Sequence, residues 1–263
     1  MLRALNTAST GMRVQQVQLD IVANNLANAS TTGFKASRAD FEDLLYVTLE
    51  RPGAQTATGS QAPTGLQIGS GARLISTSRN LQQGALEQTN RPLDVAIEGK
   101  GFLQVQLPDG STAYTRAGAL RVDADGQLVT PEGYRLVPPV TVPQDALDIK
   151  IGRDGTVSVS PSAAPDTQTQ VGTIQLAVFT NPAGLEAIGQ NLLRQTPASG
   201  AVQLVTPGTS GAGSIVQGSL ERSNVDVVTE LVNLISTQRA YEINSRAIRS
   251  ADEMLGTTNN LTR

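Results

Sequence analysis

Every seventh residue from Leu5 is apolar: Leu5, Met12, Leu19 and Leu26. Ala8, Val22 and Ala29 stand three residues on from members of this set, and Gln15 fills the remaining slot. The spacing predicts a helix with a narrow apolar seam rather than a broad core-facing side. At about 1.5 Å per residue, a helix from Leu2 to Asn28 would be roughly 40 Å long. The poor helix formers Ser30-Thr31-Thr32-Gly33 should end it, with Gly33 as the C-terminal breaker. The far end of the chain repeats the pattern in Val227, Leu234, Tyr241, Ile248 and Leu255. Val228, Leu231 and Ile235 widen this stripe early on, and Gln238, Asn244, Ser245 and Asp252 border it later. Ser223 or Asn224 is placed to cap this second helix, and Asp226 and Glu230 would favour its positive end.

Between the helical ends the period changes. Residues 36–49 carry Phe41, Leu44, Leu45 and Val47 and suit a short amphipathic helix or an extended arm. Glu50–Gly71 has no period and almost no charge, and it contains Pro52, Pro63 and several glycines, as a linker or arm does. From Ala72 to about Ser219 apolar residues alternate: Leu103, Val105, Leu107; Leu147, Ile149, Ile151; Ile174, Leu176, Val178. Asp109-Gly110, Asp125-Gly126 and Asp154-Gly155 sit between such runs as hairpin turns. The expected fold is therefore mixed. Long N- and C-terminal α-helices (1–35 and 220–263) pair as a coiled-coil-like domain, 36–71 is an extended arm, and 72–219 is a central all-β domain of many short strands.

Charge sharpens the view of the helices. Residues 1–33 hold only three charged side chains, Arg3, Arg13 and Asp20. A solvated helix usually carries spaced Lys and Glu, so neutral polar faces beside a narrow apolar stripe suit a helix touching protein on several sides. A hairpin packed on its own domain satisfies the same pattern. Over the 263 residues the net charge is −3, without the basic excess that phosphate contacts require, so nucleic acid is not an expected partner. No run approaches the 18 or more apolar residues of a membrane span, and no continuous apolar N-terminal stretch marks a cleavable secretory signal.

The chain has no Cys and no His, which removes thiol nucleophiles, disulfides, His bases and most zinc or redox-metal sites. Asp123-Ala124-Asp125-Gly126 opens like a calcium loop, but Gln127, Leu128 and Tyr134 stand where the third acid, the glycine and the closing Glu belong. A hairpin turn is the better reading. Gly69-Ser70-Gly71 and Gly99-Lys100-Gly101 lack phosphate-loop spacing. Aromatic residues are only 3%, too few for a sugar or base platform. No catalytic, cofactor or metal site is expected, and no enzymatic activity.

One segment is more specific than any of these. Asn24, Asn25, Leu26, Ala27, Asn28, Thr32, Gly33, Phe34 and Lys35 resemble the N-terminal signature of bacterial flagellar axial proteins, the rod, hook and hook-junction subunits. Asn90–Phe102 and Tyr114–Asp125 resemble the same family, and Asp148–Val159 most closely its distal-rod branch. Glu230–Ile243, with Gln238, Arg239, Ala240 and Tyr241, resembles the family's C-terminal signature. Glu50–Gly71 is similar to a segment that separates the distal-rod branch from the hook branch. The resemblance implies a non-enzymatic structural subunit that self-assembles into a rigid helical tube, a drive shaft passing torque from motor to hook. It implies further partners: proximal rod proteins, the hook protein, surrounding basal-body rings and the flagellar type III export apparatus, with no membrane insertion. The implied location is the flagellar basal body, spanning the periplasm, reached without a cleaved signal. Leu5, Met12, Leu19 and Leu26 should then face Val227, Leu234, Tyr241, Ile248 and Leu255 within and between subunits. Leu234→Asp should spare the β domain and abolish assembly. Isolated helices with so narrow a stripe are marginal, so the termini are expected to order on assembly. A hook or proximal rod subunit, a non-flagellar surface fibre and a cell-wall hydrolase are the alternatives.

Overall fold

A computed structural model describes residues 2–53, 64–162 and 167–261. Part of the Glu50–Gly71 arm, residues 54–63, lies outside them. The chain has a helix at each end and a many-stranded β region between. It divides into two compact units, 1–27 with 37–79 and 226–263, and 28–36 with 80–225.

In the first unit α1 (Leu2–Ala27) contacts α2 (Val227–Leu261). Gly11 marks a close approach: a Cβ there would lie 3.0 Å from the Asn244 amide nitrogen. On another side α1 meets a ribbon of β1 (Ser37–Asp43) and β4 (Ala72–Arg79), antiparallel with Ser37 opposite Arg79 and a bulge at Asp40/Phe41. Between them β2 (Tyr46–Glu50) pairs with β3 (Leu66–Gly69). Residues 36–49 are thus extended, not helical. Their backbone groups bond across to 66–79, and a single buried residue, Ala39, is all that β1 offers a core. Although β4 opens the alternating stretch of sequence, it belongs to this unit because its partner is β1.

Helix ends depart from expectation in two places. Gly33 lies six residues beyond the end of α1. Its φ of 71° serves a close approach instead, since a Cβ would sit 2.6 Å from the Ala117 nitrogen. At α2 the cap is Asp226, whose Oδ1 accepts from Val228 N at 3.0 Å while Oδ2 accepts from the Thr229 hydroxyl at 2.8 Å. Asn224 is committed elsewhere: its amide donates to Asn80 O and Gln82 O, and its Oδ1 accepts from Ala36 N.

The second unit runs β5 (Leu86–Gln88), β6 (Val95–Glu98), β7 (Phe102–Gln106), β8 (Thr112–Thr115), β9 (Arg121–Val122), β10 (Leu128–Val129) and β11 (Arg135–Val137). It continues with β12 (Ala146–Ile151), β13 (Thr156–Pro161), β14 (Thr169–Thr173), β15 (Leu176–Val178), β16 (Glu186–Gly189) and β17 (Leu192–Arg194). It closes with β18 (Gln203–Val205), β19 (Ser214–Gln217) and β20 (Ser219–Glu221). The main sheet has nine strands, ordered β16-β17-β8-β7-β11-β10-β9, with β15 bridging β7 and β18. Smaller sheets are β12-β13-β14, β6-β19 and β5-β20. Leu103, Val105, Leu128, Leu136, Ile174 and Leu176 share one core, and Phe102, Tyr114 and Phe179 meet edge to face in another. Leu147 does not join Ile149 and Ile151 on their face: a bulge between Ala146 and Asp148 turns it outward.

Three turns expected from Asp-Gly pairs form, and Pro131-Glu132-Gly133 makes a fourth. In each, a five-residue loop closes with the same two bonds, for example Leu107 N to Ser111 O and Gly110 N to Leu107 O. Asp109 Oδ1 accepts from both Ser111 N and its hydroxyl, and Asp154 Oδ1 does the same with Thr156. Hydroxyl donation, then the backbone bond, holds both carboxyls below the ordinary 3.8. A depressed folded pKa contributes stability above the unfolded value that is lost as pH falls through the folded one. The β-rich unit is therefore expected to soften below pH ~4, and Asp109→Asn with Asp154→Asn to flatten that dependence in acid unfolding curves.

Candidate assembly interface

The first unit wears its apolar residues outside. Among its described residues only Val22, Ala39 and Ala251 are buried hydrophobics, whereas the second unit holds two packed clusters. Along α2, Val228, Leu231, Val232 and Ile235 recur at i, i+3, i+4 and i+7, one continuous exposed band, with Val232 61% exposed. The β2–β3 hairpin adds Tyr46, Leu49, Leu66 and Ile68, all exposed on a two-stranded ribbon that has little stability alone. Contiguous exposed apolar patches are, in general, features of interaction sites.

The line that α2 turns inward is small and polar. Thr237 and Ala251 are its buried residues, with Glu230 and Asn244 half-buried at the same heptad position. The apolar heptad residues sit on its shoulder: Leu234, Ile248 and Leu255 are half-buried, and Val227 and Tyr241 exposed. On α1, Leu5, Met12, Leu19 and Leu26 are all half-buried. The inner line of α2 thus runs through Glu230, Thr237, Asn244 and Ala251, and its most exposed apolar residues lie on other faces.

The signature residues divide by role. Asn25 is buried and clamps the backbone of Ser37, donating to its O and accepting from its N, both at 2.9 Å. Its amide also donates to Glu230. Asn24 is exposed and Leu26 and Asn28 are half-buried, Asn28 accepting from the Thr31 hydroxyl. Thr32 O accepts from Asn191. Phe34 is buried, and Lys35 donates to Gln82 O and to Glu221 Oε1 at 2.5 Å. Arg116 donates Nε to the other Glu221 oxygen at 2.9 Å and its remaining nitrogens to Gly99 O and Gly101 O. Two buried cations thus share one fully buried carboxylate. In the C-terminal signature Ala240 is half-buried, and Gln238, Arg239 and Tyr241 face outward.

Comparison with known proteins bears on most of the chain. Residues 5–35 match the flagella basal body rod protein profile, 96–159 the flagellar hook protein FlgE/F/G D1 domain, and 216–261 the flagellar basal body rod FlgEFG protein C-terminal region. A flagellar basal-body rod protein FlgG of Caulobacter vibrioides is 49% identical over 99% of both chains. The chain belongs to the flagellar rod and hook axial protein family. Further relatives of the same name occur in Borreliella burgdorferi, 46% identical, and Bacillus subtilis, 39% identical, each over the full length of both chains. The family's N-terminal match thus covers α1 and the turn that ends in the buried lysine, and its C-terminal match takes in the exposed band of α2. Among the described residues no helix is long and apolar enough to cross a membrane, and no three acidic side chains cluster as a metal site.

Sequence reasoning passed over Val232 and Ile243, which are exposed on α2. Val232 was legible, since it completes an i, i+3, i+4, i+7 set with Val228, Leu231 and Ile235. The Glu221–Arg116 pair was not, because 105 residues separate two charges that carry no local pattern.

Proposed function

We propose that this chain is a structural subunit of the flagellar distal rod, without catalytic activity. Its first unit packs against those of neighbours, α1 and α2 forming coiled-coil-like contacts that build a helical tube, while the β-rich unit forms the outer layer. Leu5, Met12, Leu19, Leu26, Val227, Leu234, Tyr241, Ile248 and Leu255 make the seam within and between subunits. Contacts between unlike surfaces that do not close give an open filament. The tube serves as a drive shaft between proximal rod and hook, inside the basal-body rings, and its subunits leave the cell body through the type III export apparatus without a cleaved signal.

The observation that carries this reading is the inverted apolar distribution of the first unit. Covering a single Val or Leu side chain is worth about 1.5–3 kcal/mol, so the band on α2 supplies a large driving force once other subunits cover it. Amide hydrogen exchange tests it. On passing from monomer to polymer, peptides of α1 and α2 should gain roughly tenfold or more protection while those of the β-rich unit stay unchanged. Equal protection of both helices before and after assembly would show that they are satisfied within one molecule, and the reading would fail.

A further inference from the structure

The β-rich unit carries a cavity of about 220 Å³, several times the roughly 30 Å³ that one water occupies. Leu81, Phe102 and Phe179 give it apolar walls, and Lys35, Lys100 and Arg116 give it positive charge. Arg116 also lies over the Phe102 ring at 5.9 Å. Lys35 and Arg116 share the Glu221 carboxylate, and both its oxygens are already engaged, Oε1 also accepting from Gly84 N. The site therefore keeps a positive excess, with exposed Lys100 at its lining.

The first unit carries a fitting shape. At the corner between β1 and β2, Leu45 is 89% exposed, beyond every other large apolar side chain described. Exposed Asp43 stands two residues before it, while the intervening Leu44 is tied by its N–H to Gly71 O. Glu42 is already paired with Arg73, leaving Asp43 as the acid on offer.

We propose that the Asp43-Leu44-Leu45 corner of one subunit seats in this cavity on a second copy of the same chain. Leu45 packs against the wall formed by Leu81, Phe102 and Phe179, and Asp43 meets Lys100. Charge complementarity selects the occupant: an apolar side chain with an adjacent carboxylate suits an apolar cavity with a cationic lining. Giver and receiver are different patches, so each added subunit leaves one corner and one cavity free, and the contact propagates. The proposal rests on the rod reading above and adds a specific joint to it.

The chain has no cysteine, so introduced thiols are the sole ones present. Full-length Leu45→Cys and Thr180→Cys chains, the latter altered beside the cavity, are mixed, assembled and oxidised. The mixed disulfide dimer should exceed that of a Leu45→Cys and Glu132→Cys control by roughly tenfold, because seating raises the local thiol concentration. Asp43→Lys and Lys100→Glu should each raise the critical concentration for assembly roughly tenfold, and together should restore it. A polymer that pellets normally but gives no excess mixed dimer, or a double variant that stays impaired, overturns the joint and leaves the rod reading standing. Unaltered chain that never pellets overturns both.

Discussion

Glu221→Ala is expected to destabilise the β-rich unit by about 3–5 kcal/mol, the usual cost of leaving buried charge without its partner. The side chain is fully buried and accepts from Lys35, Arg116 and Gly84 N at once. Its removal strands two cations that are themselves almost wholly covered. Burial already pushes the Lys35 ammonium below its ordinary 10.5, and bonding to Glu221 is the main influence holding it up. A cation whose folded pKa is lowered gains stability as pH rises from that value towards 10.5, so part of the loss in Glu221→Ala should be recovered in alkaline solution. Chemical denaturation followed by tyrosine fluorescence reads the change, Tyr114 and Tyr134 both lying in this unit. Lys35→Met should cost less, since it removes a desolvated charge and leaves the Arg116–Glu221 pair intact. A Glu221→Ala midpoint within experimental error of the parent's would mean that water reaches the cluster and that it binds nothing together.

Val232→Asp should leave the isolated subunit as stable as before and prevent assembly. The side chain is already 61% exposed, so an aspartate there meets water in the monomer. In a polymer the same position would bury a carboxylate inside an apolar band. Losing a buried valine and desolvating a charge amounts to at least about 3 kcal/mol at each subunit contact, on the order of a hundredfold in critical concentration. Sedimentation of polymer against subunit concentration, beside a thermal melt of the monomer, separates the two effects. A variant that pellets at the parent's concentration would remove this band from the interface. Leu234→Asp is a less clean companion, because that residue is half-buried and its loss also touches the subunit's own packing.

Both helices, the β region and the turns were legible in the sequence because each is a local pattern: a heptad, an alternation, an Asp-Gly pair. What the sequence hid was which side of α2 the chain itself uses. Heptad spacing locates the apolar stripe, but the covered line is set by close approach at Gly11 and Asn244, and it falls three residues away on Thr237 and Ala251. The cap was misplaced for a similar reason. Ser223 and Asn224 have the right chemistry, yet Asn224 is drawn off by backbone groups at Asn80, Gln82 and Ala36 that are distant in sequence. Residues 36–49 contain enough apolar positions for a helix, and pairing with a strand some thirty residues on decides against it. The signature glycine and lysine were singled out as such by resemblance alone, and their physical task, fitting a turn against Arg116 and Ala117 and neutralising Glu221, needed three dimensions.

The four hairpin loops, alike in backbone, differ in what surrounds them, and that gives the molecule places where it can be labelled. A side chain added at Gly110 or Gly133 would meet nothing within 4 Å, whereas at Gly126 and Gly155 it would strike Val142 O and Ile174 O. An epitope or fluorophore-binding peptide spliced into the Pro108–Gly110 or Pro131–Gly133 loop should be carried without loss of fold. The same insert at Asp125-Gly126 or Asp154-Gly155 should not be tolerated. Two of the four loops are thus open addresses for imaging and the other two are structural joints.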